Sequence, residues 1–341
     1  MPHYNLALLG FGNVGQALAR LLLEKETELQ NQYGLTFAIT GIITGRHGGA
    51  IDLQGIDLER ALQGMQAGGS LDVLSTQPVP VDSFDFIYRS GAHVLFENSP
   101  VNYATGQPAV DHLRLALDLG MHAITANKGP VVHAYRQLVD LAETHGVKFY
   151  FESTVMDGAP IFSLFRAALP AANLRSFRGV LNSTTNLILS RMENGETFDQ
   201  AVAYCQKIGI AETDPSGDID GWDASVKVAA LATVLMDIPL KPQQVKRQGI
   251  RGITPQDIAQ AKAEGKRWKL VCQAQRKGDT VQARVAPELV SAGSPMYGVE
   301  GTTSIVQFET DVLGLLSVIE SDPGPRTTAY GLFADFLNAV R

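Results

Sequence analysis

The densest chemistry in this 341-residue sequence lies in AETDPSGDIDGWDASVK, residues 211–227. Glu212, Asp214, Asp218, Asp220 and Asp223 stand just before an apolar run, ASVKVAALATVL. Asp223 and Lys227 are four residues apart, which places both on one helix face. A carboxylate there orients an ammonium and raises its pKa, whereas desolvation lowers it. Acids and a lysine at the mouth of a buried helix suit a zwitterion: the acids take its ammonium and the lysine its carboxylate. A solvated acidic loop with one helix salt bridge is the plain alternative. A calcium loop is another, but the spacing does not follow D-x-[DN]-x-[DN]-G.

A second lysine, Lys128, sits in TANKGPVV after a strand end. That is the C-terminal side of a sheet, where open α/β sheets hold ligands. It can bind a substrate anion or move a proton; a solvent lysine beside a helix is the plain alternative. GFGNVG at 10–15 follows an apolar run and opens a helical pattern. Gly10 permits a tight turn, Gly12 lets backbone approach a pyrophosphate, and Gly15 lets the helix sit close to the strand. The helix N-terminus then favours the phosphate anion. The next strand leaves through ITGRHGG, with no acid until Asp52. An acid there would hold a ribose 2′-hydroxyl; Arg46, with help from His47, is placed instead for a 2′-phosphate. NADP is therefore expected over NAD.

These residues need a frame. Strand Tyr4–Leu9, a helix from Val14 and strand Phe37–Ile43 open a βαβ unit. A helix around Leu58–Met65, short strands at Phe84–Ile87 and His93–Phe96, and a helix opened by Pro108 follow. Strand His122–Thr125, a helix over Ala134–His145 and strand Val147–Phe151 complete a mostly parallel sheet. Beyond it the pattern predicts helices at Ile161–Ala168, Thr184–Met192, Phe198–Ile208 and Asp223–Leu235. Strands are expected at Leu174–Val180, Trp268–Ala274, Val281–Ala286, Ile305–Phe308 and Leu315–Ile319, and a last helix at Thr328–Val340. The fold class is α/β: a Rossmann-type nucleotide domain, 1–151, with a second α+β substrate and dimerisation domain, 152–319. Residues 320–341 return to the first.

Composition bounds the rest. Hydrophobic residues are 45% and charged residues 18%, which excludes disorder and coiled coil. Lys plus Arg is 28 against Asp plus Glu 35, a formal net charge of −7 without a basic tract. Nucleic acid and anionic membrane are not expected partners. Cys205 and Cys272 form no CxxC pair, and no HExxH stands among the histidines. No apolar run reaches the ~18 residues of a membrane span. The start lacks the features of a secretion signal, so a cytoplasmic location is expected.

Taken together, the motifs resemble the homoserine dehydrogenase family. The matching pieces are GFGNVG, TANKGP at 125–130, ESTVMDGAP at 152–160, GVLNSTTNLIL at 179–189, the acidic segment at 211–227 and the helix after TTA at 327–329. The resemblance implies NAD(P)H-dependent reduction of L-aspartate 4-semialdehyde to L-homoserine, a step of threonine and methionine biosynthesis, and a homodimer. It implies that Lys227 and Lys128 work at the reacting centre, with Asp223 orienting Lys227. It makes Glu212, Asp218, Asp223, Thr184 and Lys128 the substrate set, Glu212 holding the ammonium. The expected cofactor set is Gly10, Phe11, Gly12, Asn13, Val14, Gly15, Arg46, Ser99 and Lys128. Glu152 with the carbonyls of Val155, Asp157 and Ala159 resembles the family's monovalent-cation loop, a sodium site.

The sequence departs from the family at two places. Met156 and Asp157 stand where glycines are usual, which restricts that loop and alters its field. ESDPGPRTTA carries Glu320 and Asp322 in place of glycines before the last helix. The chain ends at Arg341, so end-product control through an added regulatory domain is not expected. The competing expectations are a related amino-acid oxidoreductase with another substrate, and a catalytically silent NAD(P)-binding protein.

Overall fold

The computed structural model describes all residues, Met1–Arg341. The chain forms two compact units, residues 1–160 with 324–341 and residues 161–323. The loop at 152–160 thus stays with the first unit, whereas the sequence reading placed the boundary after 151.

In the first unit the elements are β1 (His3–Leu9), α1 (Asn13–Gln32), β2 (Thr36–Ile43), β3 (Gly49–Ile51), α2 (Leu58–Gln66), α3 (Ser83–Arg89), β4 (Val94–Glu97), α4 (Ala109–Asp118), β5 (His122–Thr125), α5 (Lys128–Thr144) and β6 (Phe149–Tyr150). The sheet order is β3-β2-β1-β4-β5-β6. All pairs are parallel except β2 with the short edge strand β3. The order reverses between β1 and β4, so their carboxyl ends open a crevice of the kind that holds ligands in such sheets. Alternate residues of β1 point to opposite faces. Leu6 and Leu8 join one core with Leu18 and Leu22 of α1, while Ala7 and Leu9 join another with Phe86 and Ile87 of α3. The C-terminal helix, Pro325–Val340, packs Leu332, Phe333 and Phe336 into the first of these cores.

Three details differ from the sequence reading. Phe84–Ile87, expected as a strand, lies in helix α3. Asp82 caps that helix by accepting from Phe84 N (2.9 Å) and Asp85 N (2.8 Å), and Asp85 pairs with Arg89 one turn on. The helix expected from Ala134 begins at Lys128, where Asn127 accepts from Gly129 N at 2.9 Å. Ala134 has non-helical φ −140 and ψ 16, and this kink hides the first turn from a periodicity argument. The edge strand β3 lies in a stretch where the sequence pattern predicts only the helix around Leu58–Met65.

In the second unit a short helix, Ile161–Ser163 (α6), runs into a π-helical turn, Leu164–Ala168. Then come β7 (Leu174–Val180), α7 (Ser183–Glu193), α8 (Phe198–Lys207), α9 (Ser216–Ile219), α10 (Trp222–Leu235), β8 (Lys246–Arg247), α11 (Pro255–Ala263), β9 (Lys266–Lys277), β10 (Thr280–Ser291), β11 (Ser304–Thr310) and β12 (Gly314–Glu320). The sheet order is β12-β11-β7-β9-β10-β8, antiparallel apart from the β8–β10 pair. Helix α10 packs on β9 and β10. It is apolar nearly all round, as a buried helix must be, with Val226, Val228, Ala229, Ala230, Leu231 and Ala232 inaccessible. No helix of the chain is long and apolar enough to cross a membrane.

Candidate active site

The glycine loop connects β1 to α1. Gly10 has φ +95, and a Cβ there would lie 2.4 Å from Asn98 O, so both conformation and space demand glycine. A Cβ on Gly15 would lie 2.3 Å from Gly10 O. Gly12 is different. Its φ −78 and ψ −154 are open to any residue, and a Cβ would meet nothing within 4 Å. The fold does not require this glycine, whereas a ligand approaching the backbone does. Gly12 is also the N-cap of α1 and offers no side-chain cap, so the first-turn N–H groups of Asn13, Val14 and Gly15 remain for an anion. Both polar atoms of the Asn98 side chain, beside this turn, are buried without a protein partner. The residues fit a dinucleotide.

Arg46 is exposed beyond the end of β2, in a turn where Thr44 Oγ1 accepts from His47 N at 2.7 Å. Ser99 and Lys128 stand on neighbouring strand exits of the first unit. Asn127, just before Lys128, donates to Ser99 O at 3.1 Å. Beneath them is Glu97, fully buried at the end of β4. It accepts from Ser99 N (3.2 Å) and Oγ, from Thr125 Oγ1 (3.2 Å), and faces His112 Nδ1 at 3.5 Å. This carboxylate joins the two loops that carry Ser99 and Lys128. The sequence reading missed it; its one signal was an acid ending an apolar strand.

The loop at 152–159 lies wholly within the first unit. Glu152 and Val155 are buried, and Asp335 of the C-terminal helix accepts from Glu152 N at 2.7 Å. Met156 and Asp157 have φ 55 and 45. Side chains here occupy the left-handed region that glycine would enter freely, at about 1–2 kcal/mol each. Asp157 Oδ2 lies 3.1 Å from Thr327 Oγ1, which ties the loop to the last helix. In the second unit Asp322 has φ 53. At these three departures from the family pattern the backbone keeps a glycine-like turn.

The acid–lysine cluster belongs to the second unit. Gly221, with φ 78, starts α10 and leads directly to Asp223. Lys227 Nζ lies 3.0 Å from Asp223 Oδ2 and donates to Leu181 O at 2.7 Å. Asn182 donates to Asp218 Oδ1 (2.7 Å) and Asp223 Oδ2 (3.0 Å). Burial and the Asp223 charge push the Asp218 carboxyl above its ordinary range, while hydrogen bonds from Asn182 and Thr184 and the Lys227 charge pull it back. Thus Asp218, Asp223, Lys227 and Thr184 come together; spacing pointed to the Asp223–Lys227 pair alone, and Asp218 and Thr184 were implied by the family resemblance. Glu212 does not join them: it is exposed and stands apart from this hydrogen-bonded set. Asp214 is spent on Ser216 N, and Asp220 on Arg251 at 2.5 Å. Arg247 stacks over Trp222, 3.7 Å from the ring centroid, and donates to Asp220 O, which fixes the turn into α10. Asn182 was missed. Its signal was an N-capping residue before Ser-Thr-Thr at a helix start.

Comparisons with known proteins agree with this arrangement. The profile of the homoserine dehydrogenase family matches residues 160–337, and that of the homoserine dehydrogenase NAD-binding domain matches residues 10–152. The chain is 34% identical to the NAD(+)-dependent homoserine dehydrogenase of Pseudomonas canavaninivorans over 99% of its length and 96% of that protein's. It is 35% identical to the homoserine dehydrogenase of Methanocaldococcus jannaschii, over 98% of each chain. A hyperthermophilic archaeal homoserine dehydrogenase solved in complex with NADPH superposes with a TM-score of 0.83 at 29% identity, covering 99% of this chain and 97% of that one. With a dinucleotide fold in one unit, a carboxylate–lysine cluster in the other, and likeness along nearly its whole length, the chain belongs to the homoserine dehydrogenase family.

Proposed function

We propose that the cluster in the second unit binds L-aspartate 4-semialdehyde and that Lys227 protonates its carbonyl oxygen as it is reduced to L-homoserine. The carrying observation is the Asp223–Lys227–Leu181 geometry. Asp223 and Leu181 O hold the ammonium in one orientation at the mouth of the acid cluster. NAD(P)H, when bound, supplies the hydride to the aldehyde carbon. The oxygen gains negative charge, the ammonium stabilises it, and one Lys227 proton completes the alcohol. Asp218 and Asp223 present acceptors for the substrate ammonium, with Thr184 at their side. Lys128, the second lysine that the family resemblance implies, is the alternative candidate for proton donor. The reverse reaction gives the simplest test: L-homoserine with NADP at alkaline pH should produce nicotinamide absorbance at 340 nm. A folded, cofactor-binding preparation that reduces no NADP would refute the substrate assignment.

NADP over NAD follows from Arg46. A guanidinium pairs well with a 2′-phosphate, and no acid stands at the strand exit to hold a ribose hydroxyl. Arg46→Ala should lower the NADP:NAD ratio of kcat/KM about tenfold, or ~1.4 kcal/mol. An unchanged ratio, or a wild-type preference for NAD, makes Arg46 an ordinary surface residue.

Sodium at the 152–159 loop is the accompanying proposal, with Glu152 and the carbonyls of Val155, Asp157 and Ala159 as ligands. A buried carboxylate such as Glu152 favours a nearby cation. Replacing choline chloride by sodium chloride at constant ionic strength should raise activity saturably. A flat response removes the site.

A homodimer through the second unit's sheet completes the proposal. That sheet keeps one open face, with a concavity of about 340 Å³ lined by Ser176, Arg178, Gln273, Gln282 and Arg284. Leu315 and Ile319 are exposed on its edge strand β12. Light scattering at micromolar concentration should give twice the chain mass. A fully active monomer would end this assignment. Cytoplasmic location and a place in threonine and methionine synthesis accompany the assigned reaction; fractionation of cells and growth without those amino acids test them.

A further inference from the structure

Asn182 lies between the two acids of the cluster, and its amide can be oriented in one way only. The Oδ1 end accepts from Thr185 N at 2.9 Å and from Thr185 Oγ1 at 2.8 Å. The Nδ2 end therefore turns to the acids and spends its two protons on Asp218 Oδ1 and Asp223 Oδ2. Asn182 is 3% exposed and Asp223 8%, so water does not replace the bond between them, while Asp218 is half-buried. Without the amide, two carboxylates in one poorly solvated pocket repel, and one takes a proton. Asp223 is also the acid that holds Lys227. The same residue that begins helix α7 thus governs the acids on α9 and α10.

We infer that Asn182 is a positioning residue for the reaction: its amide clamps Asp218 and Asp223 as one ionised acceptor pair that receives the substrate ammonium and orients Lys227. The inference deepens the homoserine reading of this pocket and rests on it for the identity of the ammonium. The groups around the pair are Lys227 from α10, the Thr184 hydroxyl from α7, Cys205 from α8 and Cys272 from β9. Burial pushes the Cys205 thiol up to about 11 and the Cys272 thiol up to about 12, so both stay neutral in the working range. Asp218, pushed up by burial and the Asp223 charge, is the group to follow. Losing the amide removes a group that favours ionised Asp218, so its carboxyl must titrate at higher pH.

The test uses Asn182→Ser, which keeps a capping oxygen for the N-terminus of α7 and lacks the amide donors. Carboxyl carbon NMR with labelled aspartate follows Asp218 in the protein without substrate. Its titration should move upward in the variant. The KM for L-homoserine should rise about ten- to a hundredfold, the worth of hydrogen bonds to charged groups, with the KM for NADP unchanged. The acid limb of kcat/KM should move upward as well. An unmoved Asp218 titration overturns the clamp whatever the substrate proves to be. An active wild type beside an unaffected KM in Asn182→Ser overturns its role in binding. A wild type that does not turn over homoserine, with Asp218 shifted in the variant, refutes the substrate reading and upholds the clamp. If Asn182→Ser fails to fold, Asn182→Asp serves. It keeps the cap and sets a third carboxyl against the pair, so the Asp218 titration should move further; an unmoved titration again overturns the proposal.

Discussion

Lys227→Ala lowers kcat by about 10²–10⁴-fold, the usual worth of a positioned proton donor, and leaves the affinity for NADPH nearly intact. The reason is the separation of duties. The glycine loop lies in the first unit, whereas Lys227 is held in the second by Asp223 and Leu181 O. Removing the ammonium leaves Asp223 buried beside Asp218 without its cation, so a lower Tm must be measured and set apart from the rate. Lys227→Arg keeps the charge but replaces a compact ammonium with a planar guanidinium that does not give up its proton. It should not restore turnover. Asp223→Asn keeps the shape and loses the charge, so its loss should be real but smaller. Lys128→Ala is the necessary comparison. If Lys227→Ala folds, binds NADPH and turns over at the wild-type rate while Lys128→Ala is dead, the two lysines exchange roles.

Gly12→Val abolishes productive NADPH binding while leaving the fold intact. This opposition of effects distinguishes a ligand-shaped glycine from a fold-shaped one. At Gly12 the backbone is extended and a Cβ meets no protein atom within 4 Å. A valine there costs the fold little but occupies the ground that a pyrophosphate must approach. A Kd for NADPH raised by about 10²-fold or more, with Tm almost unchanged, is the expected result. Gly15→Ala should behave in the opposite sense. Its Cβ would lie 2.3 Å from Gly10 O, so the strand–helix junction itself must shift and Tm should fall. Nicotinamide fluorescence and thermal melts on the same two preparations decide. If Gly12→Val binds NADPH as well as wild type, the pyrophosphate does not lie over this loop.

The sequence reveals periodic features more readily than it reveals partners. Apolar alternation and the glycine loop locate β1, α1 and β2, because burial on a sheet face and a tight turn both leave marks on residue type. The Asp223–Lys227 pair is legible because four residues make one helical turn. Asp82 was overlooked because Phe84–Ile87 is apolar enough to pass for a strand, although the cap and the Asp85–Arg89 spacing were present. Asn127 was overlooked for a related reason: the kink at Ala134 breaks the period after only two turns. Glu97 and Asn182 act through bonds to residues distant in the chain, 28 residues away in Thr125 and 41 in Asp223. No local pattern announces such bonds. Lys269 shows the same limit. It is fully buried in β9, donating to Asn186 Oδ1 at 2.9 Å and Val299 O at 2.5 Å, and burial holds its ammonium down at about 8. Nothing in its strand distinguishes it from an exposed lysine. The departures at Met156, Asp157 and Asp322 were legible as substitutions for glycine. Their consequence was not, because residue type alone does not give the backbone angle: each sits in the left-handed region.

Reduction of L-aspartate 4-semialdehyde is tested most directly in the forward direction. Purified protein, NADPH and L-aspartate 4-semialdehyde are mixed at neutral pH, with absorbance at 340 nm followed and the product identified by chromatography and mass. One NADPH should be consumed for each L-homoserine formed, and Lys227→Ala should show neither. NADPH bound by a folded protein but left unconsumed, or consumed without formation of L-homoserine, would contradict a homoserine dehydrogenase reaction at this site.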